Sequence, residues 1–491
     1  MAALVRKRGT TPFWLNTFKK GSYPFFGIVA LAAMLAVWTL HQAPAGAQAP
    51  RRLALVGGML LDGYETPPLH HAAVLIEGNK IVQMGPVSEV KIPAGTPVVD
   101  TSGLTMMPGM IEAHAHLSLI GHGDYARYFT WLEQHKAALP MERIMEIAAK
   151  QLLMAGVTSA IDLSGYLKES LSVRDRIARG DIPGPRLQVS GPPIAHGGGA
   201  GAPAGMVTPL SATEIHSPAE AATATDDHIT AGVDVIKAQV PLSFDEYKAI
   251  VDAAHKRQVR VHAHVYTEKE VGEALRAGVD VLQHVGAAGT PPYSAELIKA
   301  IVDSGRPVVP TAAHRVYVFP ATVDFPERLQ DPRLKQDLPP DLYAEVQDSL
   351  KDFTHLRYFN TTDRQMFFGD ASMKQWITTG AVVGMGTDSG TPMNFQFDCL
   401  WREAKAFVDH GMAPQRVISA LTRVNARIYG KGNEIGTIES GKLADIIAVY
   451  GNPLFDIVAL DRVEVVVKDG VVYKGGGAAR PASRSVSGVL R

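Results

Sequence analysis

Cysteine is nearly absent from this chain of 491 residues, because Cys399 is the single one. One cysteine cannot form an intrachain disulfide, so the hydrophobic core must hold the fold together. Cys399 lies in "NFQFDCLWREAKAF", which predicts the start of a helix with the thiol packed as a small apolar group. An excess of positive charge is absent too. The formal net charge of −1 gives no reason to expect nucleic acid as a partner.

Acidic residues are missing from the beginning of the chain, where Asp62 is the first of them. Basic residues precede the apolar run "PFFGIVALAAMLAVWTL", and the small residues of "APAGAQAP" follow it. This order is typical of a secretory signal peptide. We predict a signal peptide over residues 1–49, cleaved after Ala49, and an exported protein that is periplasmic or secreted. An uncleaved membrane anchor is the alternative, although the run is short for a span of about 20 residues.

Short apolar runs broken by Gly, Asp and Pro occupy both ends of the mature chain. They are "LALVGGMLLDGYETPPLHHAAVLIEGNKIVQMG" and "KLADIIAVYGNPLFDIVALDRVEVVVKDGVVYKGG", with "EGNK" and "KDG" as turns. Such runs predict strands and hairpins. We predict one small β-sandwich domain formed from residues 50–106 and 433–475, followed by a flexible tail over 476–491.

The middle of the chain, residues 107–432, alternates eight short apolar runs with amphipathic helical segments such as "SFDEYKAIVDAAHKR". The first predicted strand is "IEAHAHL", the fifth is "VRVHAHV" and the eighth is "AVVGMGTD". Eight strand–helix units in about 300 residues predict a (β/α)8 TIM-like barrel. A doubly wound open sheet is the alternative, but no Gly-x-Gly-x-x-Gly follows the first strand. The segment around 313–360 is too long for a simple connection, so we interpret it as an insertion near the mouth of the barrel.

Polar side chains interrupt five of the predicted strands, and most of them lie where a strand ends. In "MPGMIEAHAHLSL", His114 and His116 are two residues apart, so both side chains point to one face. Catalytic groups of barrels gather at the C-terminal ends of the strands. Because a buried lysine or aspartate without a partner is costly, such a group is best explained by bound cations. The candidate ligands are His114, His116, Lys237, His264, His284 and Asp388.

The fifth strand offers two histidines on the same face, His262 and His264. Only His264 lies close enough to the C-terminal end of the strand to reach the rim. We therefore interpret His262 as a histidine of the barrel core.

The ordered ligand set, together with the closing "GTIESGKLADIIAVYGNP", resembles the amidohydrolase superfamily. The spacing and the phrase "AGVDVLQHVG" look most like its imidazolonepropionase-like and Xaa-Pro dipeptidase group, near which the ochratoxin-type amidases also belong. Many relatives have Glu where Gln283 precedes His284, which is a mild departure. The resemblance implies a barrel that binds two divalent metal ions, usually zinc, although manganese, iron or cobalt also suit such ligands.

The resemblance also assigns a role to each ligand. It implies that His114 and His116 hold the more buried ion with Asp388, and that His264 and His284 hold the other. It implies that Lys237 is carboxylated by CO2, because a free ammonium group has no lone pair for a metal. A hydroxide shared by the ions would attack a carbonyl group. Asp388 would accept the proton of the water and deliver it to the leaving nitrogen.

The implied reaction is hydrolysis of a C–N bond in a small amide or dipeptide. Tyr266, on the same face as His264, and His196, in the glycine-rich "AHGGGAGAPAGM", are candidate substrate-binding residues. Cleavage of a cyclic amide, as in imidazolonepropionase or hydantoinase, is an alternative, and a non-catalytic binding protein on the same fold is another. Membrane contact is expected only through the N-terminal signal or anchor. A homo-oligomer is one option for the assembly.

Overall fold

The computed structural model describes residues 51–197, 211–286, 289–313, 329–351, 362–475 and 480–481. The signal peptide predicted over 1–49 therefore lies outside the described residues, as do most of the glycine-rich loop and most of the predicted tail. Among the helices of the described ranges, none combines the length and the hydrophobicity needed to cross a membrane.

The strands of the described residues are short, and most are largely buried. In chain order they are β1 Arg52–Val56, β2 Met59–Leu60, β3 Ala72–Glu77, β4 Lys80–Pro86, β5 Pro97–Asp100, β6 Leu104–Pro108, β7 Met110–Ala115, β8 Val157–Asp162, β9 Arg186–Val189, β10 Ile194–His196, β11 Thr213–Ile215, β12 Val235–Gln239, β13 Arg260–His264, β14 Val281–Gln283, β15 Val308–Val309, β16 Ile446–Tyr450, β17 Val463–Lys468, β18 Val471–Lys474 and β19 Arg480–Pro481.

The helices lie mainly between β7 and β16. They are α1 Tyr125–His135, α2 Met141–Met154, α3 Leu167–Arg179, α4 Pro218–Ala231, α5 Phe244–Lys256, α6 Glu268–Ala277, α7 Ala295–Ser304, α8 Pro332–Asp337, α9 Pro340–Ser349, α10 Thr362–Thr378, α11 Cys399–Asp409, α12 Pro414–Ser419 and α13 Asn425–Ile428, with a π-helical turn at Ala420–Val424 and a 3-10 helix at Ile457–Asp461. The helix predicted around Cys399 is confirmed, and the side chain of Cys399 lies outside the described part.

Two five-stranded sheets contain strands from both ends of the described chain. Their orders are β19-β5-β1-β3-β4 and β18-β17-β16-β6-β2. The turn predicted in "EGNK" joins β3 to β4, where Glu77 pairs with Lys80. In the second sheet, β6 pairs antiparallel with β16, so that Met107 lies opposite Ile447. Apolar side chains of both sheets share one buried cluster, which includes Leu55, Ile76, Met106, Ile446 and Val465.

Parallel strands alternate with helices between these two end segments. Strands β7, β8 and β9 form one sheet, and a second has the order β11-β10-β12-β13-β14-β15. The strands β7, β8, β12 and β14 are buried along their whole length, as expected where helices cover a parallel sheet. Helix α5 begins with a capping box in which Ser243 and Glu246 satisfy each other's backbone N–H groups. The C-terminal ends of neighbouring parallel strands lie at one edge.

The run "AVVGMGTD", predicted as the eighth strand, differs from a regular strand in the structure. It still donates backbone hydrogen bonds to strands on two sides, from Gly384 to the Val308 carbonyl oxygen (2.9 Å) and from Asp388 to that of His114 (2.9 Å). Its packing is close, because a Cβ atom on Gly386 would lie 3.0 Å from the backbone nitrogen of His114. This segment connects β15 to β7 and places Asp388 beside His114.

Asn425 supplies side-chain hydrogen bonds where the segment "AVVGMGTD" lacks the regular backbone pairing of a strand with β7. Its side-chain Nδ2 donates to the carbonyl oxygens of Ile111 (2.5 Å) and Met385 (2.6 Å), and its Oδ1 accepts from the Met385 N–H (3.0 Å). The residue is wholly buried, so these partners replace water. One amide therefore ties β7 to the segment that carries Asp388.

The predicted insertion over 313–360 contains α8 and α9 among its described residues. Helix α9 is attached to the loop that follows β7. Glu345 accepts hydrogen bonds from Arg127 (2.5 and 2.9 Å) and lies 3.2 Å from Nε2 of the buried His122. The Gly123 N–H donates to the Ser349 hydroxyl (3.0 Å). The insertion is thus held at the edge where β7 ends.

Replacing Asn425 with alanine should lower the free energy of unfolding by about 3 kcal/mol, because three buried backbone groups each lose a hydrogen bond to the Asn425 side chain. Urea unfolding followed by circular dichroism measures this loss. The exposed Asn79, in the turn between β3 and β4, supplies the control variant Asn79→Ala, which should change stability by less than about 0.5 kcal/mol. Equal stability of the two variants would contradict the role given to Asn425.

Candidate metal centre

The two histidines of β7 lie at the C-terminal end of the strand. His114 is wholly buried and His116 is almost so, and the centres of their rings are 5.1 Å apart. This proximity follows from the two-residue repeat of a strand, which brings both imidazoles to one face. The pair therefore forms one wall of a site.

The ends of β13 and β14 and the segment after residue 381 bring further donors to this wall. The ring centre of His284 lies 4.4 Å from that of His114 and 4.4 Å from that of His264. Asp388 Oδ1 lies 2.9 Å from His116 Nε2 and 3.6 Å from His114 Nε2. Possible ligand atoms of His114, His284 and Asp388 all lie within 4.8 Å of one another. Four imidazoles and one carboxylate thus lie close together at this edge of the sheet.

Lys237, in the middle of β12, extends into the same group. Its Nζ lies 3.2 Å from His114 Nε2, and the residue is only 1% exposed. Burial lowers the pKa of Lys237 to about 7, and the nearby Asp388 offsets only part of this effect. The structure therefore brings all six predicted ligands together, and it makes the amine easy to deprotonate.

Burial also favours the neutral form of two of the histidines, His114 and His284. It lowers the pKa of His114 and of His284 well below the ordinary value, and the charge of Lys237 adds to the effect at both. A neutral imidazole keeps the lone pair that a metal ion requires. The electrostatics of the site therefore favour metal binding over protonation.

Hydrogen bonds outside the group orient the imidazoles. The Gln283 side-chain oxygen lies 2.9 Å from His114 Nδ1, and the hydroxyl of Thr311 lies 2.9 Å from His284 Nδ1. The amide oxygen of Gln283 can only accept, so His114 carries its proton on Nδ1 and turns the lone pair of Nε2 towards Lys237. Such partners of ligand histidines commonly set both orientation and basicity.

Backbone strain is concentrated at the same place. His284 and Asp388 have positive φ angles of 63° and 60°, and Thr311 has one of 49°. Side chains other than glycine rarely adopt this conformation, and such residues cluster at functional sites. The left-handed turns occur where these segments leave the sheet, and they hold the donors at its edge.

Two buried carboxylates that the sequence patterns did not single out support the site. Glu112 accepts hydrogen bonds from the backbone of His114 (2.9 Å) and from Thr387 (2.9 and 2.7 Å). Burial raises the pKa of Glu112 to about 8. A signal existed here, because Glu112 interrupts the apolar strand β7 two residues before His114. It joins that strand to the residue that precedes Asp388.

Glu403 of α11 is the second of these carboxylates. It accepts from the backbone N–H groups of Ala312 (3.1 Å) and Ala313 (2.7 Å), and burial raises its pKa to about 7. These alanines directly follow Thr311, the partner of His284. No local pattern announces this contact, because the two segments are about 90 positions apart.

The remaining predicted residues lie in different settings. The ring centre of Tyr266 lies 4.6 Å from that of His264 and 5.7 Å from that of His284, so Tyr266 borders the group. His262 is wholly buried beside Gln283 (3.1 Å), as expected of a core histidine. His196 is exposed and lies 2.6 Å from a carboxylate oxygen of Glu246, away from the six ligands among its described contacts.

The donor set suits divalent transition metals. Imidazole nitrogens and carboxylate oxygens are the usual ligands of zinc in hydrolytic sites. The buried Nδ1 atom of His116 has no hydrogen-bond partner in the described part of the chain. A bound cation would be stabilised by the neutral histidines His114 and His284, by the buried Asp388 carboxylate and by an uncharged or modified Lys237.

Comparisons with known proteins agree with this chemistry. The sequence pattern described as "Amidohydrolase family" matches residues 105–473. An ochratoxinase of Aspergillus niger is 26% identical over 467 residues, covering 86% of this chain and 87% of that protein. A 5-methylthioadenosine/S-adenosylhomocysteine deaminase of Symbiobacterium thermophilum is 24% identical over 476 residues, covering 86% and 94%.

The fold is shared with a solved Xaa-Pro dipeptidase that contains bound methionine in its active site. The TM-score is 0.70 at 23% identity, and the match covers 86% of this chain and 100% of that one. These similarities imply a TIM-like barrel with an additional domain. The resemblance noted in the sequence is thereby confirmed.

Replacing Gln283 with alanine should weaken binding of divalent ions about 10- to 100-fold, because His114 loses the acceptor that fixes its proton on Nδ1. Competition with a chromogenic chelator measures the affinity. Gln151→Ala is the matched control. Gln151 is a buried glutamine of α2 whose amide nitrogen has no partner in the described part, and this variant should keep full affinity. Wild-type affinity in Gln283→Ala would refute the orienting role.

Proposed function

As a member of the amidohydrolase family, this chain is a hydrolase that acts on C–N bonds, and we propose that it cleaves an amide or dipeptide bond in a small molecule. One observation carries this proposal: six polar side chains from five segments meet in a buried group at the ends of parallel strands. We further propose that the parallel strands close into a (β/α)8 barrel over residues 107–432, with a β-sandwich formed by both ends.

The residues present fit two divalent ions, which we propose are zinc. His114, His116 and Asp388 would hold one ion, His264 and His284 the other, and carboxylated Lys237 would contact both. When bound, such ions polarise a carbonyl group and lower the pKa of water towards 7. The protein's own part is to orient these ligands and to shield them from bulk solvent.

Asp388 is the proposed proton carrier. Its backbone N–H is held by the His114 carbonyl oxygen (2.9 Å), and Oδ1 lies 2.9 Å from His116 Nε2. The carboxylate accepts a proton from the attacking water and delivers it to the nitrogen of the breaking C–N bond. The products are a carboxylic acid and an amine, so one water is consumed for each bond.

Carboxylation of Lys237 is supported by its burial. A neutral amine adds to CO2 and loses one proton, which leaves a carbamate anion on Nζ. An unpaired ammonium in this position would cost several kcal/mol, whereas the carbamate is an anion that two cations stabilise. Carboxylation therefore replaces a lysine whose charged form is unfavourable when buried with an anionic group that can bind metal ions.

The substrate class is proposed from the relatives. The names ochratoxinase and Xaa-Pro dipeptidase point to amide and dipeptide bonds as the targets of those two proteins. Tyr266 would contact the substrate beside His264. His196 would be the second substrate contact. Hydrolysis of a cyclic amide, as in imidazolonepropionase or hydantoinase, is the second candidate. We also propose that the protein is exported to the periplasm or the exterior, because residues 1–49 have the pattern of a signal peptide.

Asp388→Asn should lower kcat by about 10²- to 10⁴-fold, because an amide cannot accept the proton of the water. Initial rates on a panel of N-acyl amino acids, Xaa-Pro dipeptides and cyclic amides measure this and identify the substrate class. Asp445→Asn is the control, since Asp445, which directly precedes β16, is a buried carboxylate that pairs with Arg186 of β9. Full activity of Asp388→Asn would exclude Asp388 as the proton carrier, and activity confined to cyclic amides would favour the second candidate.

Lys237→Ala should empty or disorder the metal site, and short carboxylic acids such as acetate or propionate should restore part of the activity. The reason is that the added carboxylate replaces the lost carbamate. Metal content per chain, measured by atomic emission, is the readout besides the rate. The control is Lys468→Ala, which removes another buried lysine, in β17, and should retain all metal. Full metal content and activity in Lys237→Ala would rule out the carbamate.

A further inference from the structure

A cavity lies at the N-terminal ends of β13 and β14, whose C-terminal ends carry part of the candidate metal centre. Its volume is about 630 Å³, and Arg260 at the start of β13 and Val281 at the start of β14 line it. His264 and His284 lie at the other ends of these strands. Small-molecule sites typically measure roughly 300–1,000 Å³. The cavity is therefore large enough for a ligand and is separate from the candidate metal centre.

Four cations and two acids line this cavity, and the acids neutralise two of the cations. Arg306 pairs with Asp280 (2.6 Å), and Lys431 pairs with Glu434 (3.0 Å). Asp280 also lies 2.8 Å from His255 Nε2, so it is fully engaged. These ion pairs leave the positive charges of the other two lining cations, Arg260 and Arg427, to be considered.

Arg260 and Arg427 have no carboxylate partner among the described residues. Arg260 donates one N–H to the Ile428 carbonyl oxygen (3.0 Å), which leaves most of its five donors for other groups. Arg427 is exposed on the wall of the cavity. Two arginines without a carboxylate partner in the described part thus line one cavity.

Glycine lets Arg260 reach its place. A Cβ atom on Gly430 would lie 2.3 Å from Arg260 Nη1, and Gly430 has a positive φ of 84°. The guanidinium therefore rests directly on bare backbone, which holds it in position. This seat favours binding, because a preorganised donor loses less entropy when a ligand arrives.

Apolar side chains complete the wall of the cavity. They are Val281, Pro307, Val382, Val424 and Ile428. We propose that the cavity binds a small organic phosphate, whose phosphate group lies between Arg260 and Arg427 and whose organic part lies on the apolar wall. The guanidinium fork matches phosphate oxygens, and a phosphate ester supplies the charge of nearly −2 that two unpaired cations require. This site does not depend on the proposed hydrolytic function.

Calorimetric titration of the metal-loaded protein with phenyl phosphate tests the proposal. Saturable binding of one ligand per chain is expected, weakened about tenfold or more by Arg427→Gln and by Arg260→Gln. Because Arg427 is exposed, its variant should keep the fold, which circular dichroism checks. The control is Arg416→Gln, since Arg416 also donates to a backbone carbonyl oxygen (2.9 Å) but lies outside the cavity, and it should bind as the wild type does.

Two further ligands define the chemistry. Benzoate, with one charge, should bind at least about tenfold more weakly than phenyl phosphate, and inorganic phosphate should bind more weakly because it lacks the apolar part. Equal binding of inorganic phosphate would overturn the organic part of the proposal. No saturable binding, or binding that both arginine variants retain, would overturn the site itself, and the second result would assign the phosphate to the metal ions. Hydrolysis by Arg427→Gln should match that of the wild type.

Discussion

A lysine side chain buried beside four imidazoles is the constraint on which the site depends. The amino group of Lys237 lies 3.2 Å from His114 Nε2, and the charge of Asp388 offsets only part of the effect of its burial. A charged ammonium there would face neutral nitrogens in a medium that solvates charge poorly. The amine gives up its proton readily, because burial lowers its pKa to about 7, and the neutral or carboxylated form leaves the surrounding donors available to a cation. Burial thus selects the protonation states that metal binding requires.

The donors are useful only because other groups hold them. Glu112 connects β7 to the residue before Asp388, and Gln283 sets the proton of His114. Glu403 fixes the backbone after Thr311, whose hydroxyl meets His284. Buried networks of this kind are strong when every member is satisfied. The precision of the site therefore comes from side chains that touch no substrate.

The sequence predicted the side chains that the structure brings together better than it predicted the residues that support them. The two-residue repeat of a strand singled out His114 and His116. Polar residues in or at the ends of apolar runs singled out Lys237, His264 and His284. The eighth segment was located correctly but is not a regular strand, because its glycines pack against neighbours that are distant in the chain. Thr311, Asn425 and Glu403 could not be found in this way, since their contacts depend on tertiary packing rather than on local periodicity.

X-ray diffraction from crystals of the metal-loaded protein, recorded at the absorption edge of zinc, tests the proposed metal centre most directly. We expect two anomalous peaks among His114, His116, His264, His284 and Asp388, with electron density extending beyond Nζ of Lys237 towards both. A map without a peak in this group, or with density that stops at Nζ beside two well-occupied ions, would contradict the proposed centre.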